Sequence, residues 1–279
     1  MAGSRLPVGP LGEVLRSRRR RRFVGRDGEL ELVRAALDAS ELPFSVLWFT
    51  GPGGIGKTSL LEAIAEQAEE AGVRTVVRLD GRELPPSPRA ASAVAQEALG
   101  TPSFDEAVAP SEGRLVLLLD AYERLGALDD WVRTWLLPRL PASALTVVAA
   151  RRLPGMAWRA DPAWRELLRV VSLRNLGPEE SRSYLRACGV DEALHDRLLE
   201  VSHGHPLGLS LLVDVVVRGG EATLDPAPDL VGTLVRRFVD VVPVGRRRGA
   251  LEVCALARVT TEALLRDALA LEDAQELFA

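Results

Sequence analysis

The sequence predicts a three-layer α/β fold built on a parallel sheet, followed by a region made of helices alone. Three observations carry this expectation. Phe44 to Phe49, Leu115 to Leu119 and Leu145 to Ala150 are continuous apolar runs, the pattern of strands covered on both faces. Segments with apolar residues at helical spacing separate these runs, and strands alternating with helices imply parallel pairing through crossover connections. After Leu176 the strand-like runs stop and helix-like segments follow one another.

Each element has its own signal. Residues 1–22 hold six arginines between Arg16 and Arg22 and few apolar side chains, so a flexible, arginine-rich leader is expected. Leu30, Leu32, Val33, Ala36 and Leu37 recur at helical spacing, giving a short amphipathic helix from Glu29 to Leu37. The first strand, Phe44 to Phe49, ends in the glycine loop Thr50-Gly51-Pro52-Gly53-Gly54, and a helix over Lys57 to Ala71 follows. Val73 to Leu79, closed by Asp80-Gly81, is the second strand, and a proline-rich connection leads to a helix over Arg89 to Leu99. The third strand ends at Asp120, the fourth at Arg151, and Val170 to Leu173 is a shorter fifth. Helices are expected over Pro178 to Cys188, Asp191 to Val201 and Pro206 to Val217. A linker over Gly219 to Asp229 precedes amphipathic segments at Leu230 to Val241, Arg247 to Leu256 and Thr261 to Leu271.

Composition excludes several classes of function. With 279 residues, 47% of them apolar, the chain can bury one large core or two smaller ones. A net charge of -4 argues against wholesale coating of nucleic acid and leaves only local basic patches. No run reaches the ~18 apolar residues of a membrane span, and Gly25 to Glu29 is too polar to continue a signal peptide. A cytoplasmic protein without membrane contact is expected. Cys188 and Cys254 stand far apart with no Cys/His cluster, which fits a reducing compartment.

The sharpest signal lies between the first strand and its helix. Gly51-Pro52-Gly53-Gly54-Ile55-Gly56-Lys57-Thr58 matches GxxxxGK(S/T), the phosphate-binding P-loop, in the strand–loop–helix context that gives the pattern meaning. Glycines let successive backbone amides converge on a phosphate, and the helix entered through Lys57, Thr58 and Ser59 adds its positive N-terminus. Lys57 is the one lysine among 35 basic residues. A compact ammonium fits between β- and γ-phosphates where a planar guanidinium does not, so a sequence that otherwise uses arginine keeps lysine here. Thr58 is expected to place its hydroxyl on Mg²⁺. A P-loop NTPase core binding ATP or ADP with Mg²⁺ follows.

Asp120, at the carboxyl end of a parallel strand, faces the ligand crevice and can hold Mg²⁺ through water, or cap the helical segment after it. Glu123 can polarise the attacking water or act as a solvated partner of Arg124. Arg151 can contact the γ-phosphate, with Arg152 as the competing choice.

With these residues in place the chain resembles the STAND signal-transduction ATPases, the NB-ARC-like relatives of AAA+ proteins and of the apoptotic and plant-resistance ATPases. Phe23-Val24-Gly25-Arg26-Asp27 with Glu29-Leu30 is similar to the F-V-G-R-x-x-E-L element of that group, which implies an adenine-side role for Val24, Gly25 and Arg26. Gly204-His205-Pro206-Leu207-Gly208-Leu209 resembles the G-x-P-L-x-L motif of the helical lid, which makes Pro206 a candidate adenine contact. Read locally, the same residues are a glycine cap followed by a helix starting at proline. The resemblance further implies a core over 23–176, a lid over 177–219 and the start of a winged-helix domain over 230–279. It also implies that a C-terminal sensor or effector region is missing. Two departures stand out. Ala121 occupies the place of a second acid after Asp120, and no Ser or Thr precedes Arg151.

The function implied is a nucleotide-operated switch with slow ATP hydrolysis, which self-associates in its ATP state and acts on a DNA or protein effector in signalling or transcription. Two alternatives remain: a DNA-acting AAA+ ATPase of the origin-recognition or loader type, with Arg16 to Arg22 and Arg246 to Arg248 on phosphates, and a nucleotide-binding scaffold that does not hydrolyse ATP.

Overall fold

The structure, a computed structural model, describes residues 10–73, 75–100, 114–219, 249 and 262–269. The chain divides into two compact units, Met1–Ser210 and Leu211–Ala279.

The first unit holds five parallel strands: β1 (Val46–Thr50), β2 (Thr75–Asp80), β3 (Leu115–Asp120), β4 (Leu145–Ala150) and β5 (Leu168–Ser172), in the order β2-β3-β4-β1-β5. Side-chain alternation explains why the inner strands read as unbroken apolar runs. Val46 and Trp48 of β1, Leu117 and Leu119 of β3 and Val148 of β4 enter one core. Their neighbours Leu47, Phe49, Val116, Leu118, Val147 and Ala149 enter the core on the opposite face. Burying each such side chain contributes about 1.5–3 kcal/mol, so the central strands anchor the unit.

The second of these cores is closed by α2 (Asp27–Asp38) and α3 (Lys57–Glu70), which present Val33, Ala36 and Leu37, and Leu60, Leu61, Ile64, Ala65 and Ala68. The first is closed by α4 (Pro88–Leu99), which starts from a Ser87 cap and Pro88, and by the segment after β3. That segment, residues 122–139, had no element assigned from the sequence. It winds through 3₁₀ turns, the short α5 (Asp129–Trp131) and a π turn and buries Tyr122, Leu125, Trp131 and Leu136. Pro138 accounts for the break at its end, because it has no amide to return to the carbonyl of Thr134. Two short helices, α6 (Met156–Ala160) and α7 (Pro162–Leu167), were likewise not expected; Trp158 of α6 is fully buried.

Residues 11–22, within the expected leader, form a helix, α1 (Leu11–Arg22), although none of its residues is buried. Arginine is a good helix former, and four arginines in the last turn face the negative end of the helix dipole. Beyond β5 come α8 (Pro178–Ala187), α9 (His195–Ser202) and α10 (Pro206–Gly219). The turn into α10 holds two left-handed residues in succession, His203 and Gly204. A Cβ on Gly204 would overlap the carbonyl of Leu176, whose amide donates to Gly204 O at 2.9 Å.

The winged-helix expectation over 230–279 lies outside the described residues, apart from Gly249 and a helix over Glu262–Ala268. Among the described residues no helix is long and apolar enough to cross a membrane.

Candidate nucleotide-binding site

Four strands deliver their carboxyl ends to one edge of the sheet, where ligands of open α/β folds bind. β1 runs into the glycine loop, in which Gly54 and Gly56 have φ of 78° and 92°. Only glycine adopts this left-handed backbone without a Cβ penalty, and successive amides in such turns converge on an anion. Ile55, 1% exposed, pins the loop into the core, so its contribution to the site is its backbone. α3 starts at Lys57, which places the helix N-terminus directly behind the loop.

Lys57 is folded onto its own loop, donating from Nζ to the carbonyls of Gly51 at 2.7 Å and Pro52 at 2.8 Å. Partial burial holds its ammonium below the ordinary lysine pKa, an effect opposed mainly by the Glu123 carboxylate. Thr58 Oγ1 donates to Asp120 Oδ2 at 2.8 Å, while Asp120 Oδ1 accepts the amide of Ala121 at 2.7 Å. Asp120 thus holds the amide that follows it at the strand end and faces the P-loop at once; the turn beyond starts from Ala121 without a side-chain cap.

The register of β2 against β3 pairs Asp80 with Asp120. Arg82, at the start of the loop leaving β2, grips both oxygens of Asp80 and reaches Asp120 Oδ2 at 3.5 Å. This hydrogen-bonded guanidinium holds the Asp80 carboxyl below its ordinary range. Neither Asp80 nor Arg82 was singled out in the sequence. The available signal was a second acid at the carboxyl end of a parallel strand.

Glu123 is taken by Arg151 rather than by Arg124. Arg151 Nε lies 3.1 Å from Oε1, and the Arg151 amide donates to Oε2 at 3.2 Å. Arg152 lies apart from the site: its carbonyl accepts the indole N–H of Trp48, and its side chain does not line the cavity.

These groups share a cavity of about 940 Å³. Gly53, Gly54, Ile55, Gly56, Lys57, Thr58 and Ser59 line it with Asp120, Glu123 and Arg151, and Val24 and Pro206 complete the wall away from the sheet. Leu207 at the start of α10 donates its amide to Gly54 O at 3.2 Å, and a Cβ on Gly54 would lie 2.7 Å from Leu207 Cβ. The first turn of α10 therefore rests on the phosphate loop. Tyr184 of α8 and Ser210 of α10 also face the cavity.

Three expected residues are placed differently. Gly51 and Gly25 do not line the cavity: Gly51 packs on Ile55, and a Cβ on Gly25 would lie 2.5 Å from Glu180 Oε1. Arg26 lines it but is 8% exposed, with its guanidinium engaged by the carbonyls of Ile55 at 3.0 Å and Arg174 at 2.7 Å and by Glu29 Oε1 at 3.4 Å. Its side chain ties three segments together instead of reaching outward.

The chemistry of the donors fits a nucleotide with a hard cation. A hydroxyl and a carboxylate oxygen, with phosphate oxygens and water to complete the shell, are what Mg²⁺ prefers. No cluster of three or more His, Cys, Asp or Glu among the described residues offers an all-protein metal site.

Comparison with known proteins agrees with this geometry. The chain shares its fold with the ORC1 protein of Aeropyrum pernix solved in complex with DNA, at 18% identity and a TM-score of 0.53 over 88% of this chain and 76% of that one. AMPPCP-bound DnaA of Aquifex aeolicus matches at 18% identity and a TM-score of 0.54 over 88% and 84%. The RuvB Holliday junction branch migration motor of Thermotoga maritima matches at 17% identity and a TM-score of 0.52 over 91% and 84%. No curated protein matches in sequence. The family model of the AAA ATPase domain matches residues 22–242, a span that takes in the glycine loop, Asp120, Arg151 and the first turn of α10, and the chain belongs to that family.

Proposed function

We propose that this chain is an ATP- and ADP-binding switch of the STAND type, with slow hydrolysis, whose nucleotide state controls self-association and an effector in signalling or transcription. The observation that carries the proposal is the docking of α10 on the glycine loop: the Leu207 amide donates to Gly54 O, and Pro206 lines the same cavity as Lys57. A helix that rests on the phosphate loop responds to what the loop holds.

The residues divide the work. Lys57 exchanges two loop carbonyls for phosphate oxygens, and Gly53, Gly54 and Gly56 present amides beside it. Thr58 and Asp120 hold Mg²⁺, which neutralises phosphate charge. Glu123 is the residue placed to polarise an attacking water, but Arg151 occupies both of its oxygens. A γ-phosphate competes for Arg151, so release of the base is coupled to recognition of ATP, and turnover is slow because the pair must first part. Val24 and Pro206 face the base side of the cavity.

The first test is the nucleotide content of the purified protein, read by denaturation and separation of the released bases. Co-purified ADP is the expected result, and an empty site that does not take up added Mg-ATP overturns the proposal. Asp120→Asn gives a finer test. It is expected to weaken ATP binding about 10- to 100-fold in Mg²⁺ while leaving binding in a chelator unchanged. Calorimetry in the two buffers reads this directly; equal losses in both would remove Asp120 from the metal's surroundings.

A second reading, a DNA-acting ATPase, draws on the solved neighbours: one is ORC1 in complex with DNA, another is DnaA bound to AMPPCP and single-stranded DNA. Nucleotide binding belongs to both readings.

A further inference from the structure

α1 is a helix with no buried residue, so apolar packing does not account for its position. Two ion pairs hold it to α3: Arg19 to Glu62 and Arg20 to Glu70, each at 2.8 Å. The arginines of both pairs are more than 60% exposed. Glu62, Glu66 and Glu70 repeat every four residues, which sets them in one row along α3. Exposed ion pairs of this kind contribute at most about 1 kcal/mol each and weaken further with salt. The attachment to α3 is therefore weak, electrostatic and reversible, and α1 otherwise touches α8.

The other arginines of α1 show what it is shaped to meet. At about 100° per residue, Arg16, Arg18, Arg19, Arg20, Arg21 and Arg22 fan around the whole helix instead of forming one face. Arg16, Arg18, Arg21 and Arg22 are exposed and have no ion-pair partner among the described residues. The apolar stripe of α1, Leu11, Val14 and Leu15, is confined to its first half, and the arginine half lacks the long apolar face that membrane-surface binding requires. It also carries no aromatic side chain on which single-stranded bases stack. Charge on every side matches a groove with phosphates on both walls. The major groove of B-DNA admits a helix, whereas that of duplex RNA is too deep and narrow.

We propose that α1 is a duplex-DNA-binding arm masked in cis by the acidic row of α3, which phosphates displace. DNA replaces two exposed ion pairs with up to six arginine–phosphate contacts and releases counterions, so the exchange favours the arm leaving α3 at low salt. This goes beyond the nucleotide switch and does not depend on it. Because α1 runs directly into Phe23 and Val24 at the cavity wall, the same exchange pulls on the nucleotide site.

The test is fluorescence anisotropy with a labelled duplex of about two turns (~20 base pairs) across a series of salt concentrations. Wild type is expected to bind without sequence preference, with affinity falling steeply as salt rises. Glu62→Gln, Glu66→Gln and Glu70→Gln combined are expected to tighten binding about three- to tenfold at low salt by removing the mask. Changing all six arginines to Gln is expected to weaken binding at least 100-fold and flatten the log–log salt slope by about four to five, and changing them to Lys restores it. The lysine variant separates loss of charge from loss of fold. Absence of binding, an unchanged slope in the Gln variant, indifference to the glutamate changes, or equal or tighter binding to single strands, duplex RNA or phosphatidylserine vesicles would each overturn the proposal. Nucleotide content is read on the same preparation, so an empty nucleotide site and a failure to bind DNA are separate results.

Discussion

Lys57→Ala is expected to lower affinity for ADP and ATP by about two to three orders of magnitude while leaving the fold intact. Removing one partner of a desolvated charge pair costs about 3–4 kcal/mol in binding, and each 1.4 kcal/mol is tenfold. The free protein loses little, because Lys57 engages two loop carbonyls, Gly51 O in a part-buried bond and Pro52 O in an exposed one, and water can replace the ammonium there. Lys57→Arg is expected to fail nearly as badly. Its charge is retained, but a planar fork does not enter the space that a compact ammonium occupies between phosphates. Titration calorimetry with each nucleotide, beside a thermal melt of the nucleotide-free protein, checks both halves. A variant that binds ADP as tightly as wild type would remove Lys57 from the site.

Two features were legible in the sequence, and three were not. The central strands could be read because each is buried on both faces: the runs Leu145 to Ala150 and Leu115 to Leu119, the second closed by Asp120, coincide with β4 and β3. The P-loop could be read because its function fixes both residue types and spacing. The 122–139 segment was not legible, because Gly126 and Pro138 break any helical period and its burial depends on contacts with α4 and α6. α1 was missed for the opposite reason. Its composition is that of a solvated tail, and its partner is an acidic row more than forty residues away. Arg82 depends on a parallel register that brings Asp80 beside Asp120, which no local pattern encodes.

The docked α10 turn gives the glycine loop a second duty. Gly54 holds φ of 78° and offers its carbonyl to Leu207, so the residue that shapes the phosphate cradle also seats the helix above it. The two tasks cannot be separated by mutation at that position, because any side chain there meets Leu207 and His205. On the proposed reading, filling the cradle and shifting α10 are one event, which is what a switch requires.

Arg26 decides between two meanings of the segment before the P-loop. As an adenine contact it would matter only when nucleotide is present; as a strut it matters always. The structure has its guanidinium on Ile55 O, Arg174 O and Glu29, at a site where the backbone itself is left-handed, φ 66°. Arg26→Ala strips two buried or half-buried carbonyls of a charged donor and leaves Glu29 without its partner. Hydrogen bonds to charged groups contribute about 1.5–3 kcal/mol each, and not all of that is recovered from water, so about 3 kcal/mol of stability is expected to go. For a domain of this size that lowers Tm by about 6–12 °C. The melt must be run on nucleotide-free protein, where an adenine contact has nothing to lose. A Tm within about 2 °C of wild type, together with weakened ADP binding, would return Arg26 to the base side of the cavity. The expected outcome is the reverse: an early melt without nucleotide, and a loss of ADP affinity that follows from the loosened Ile55 loop.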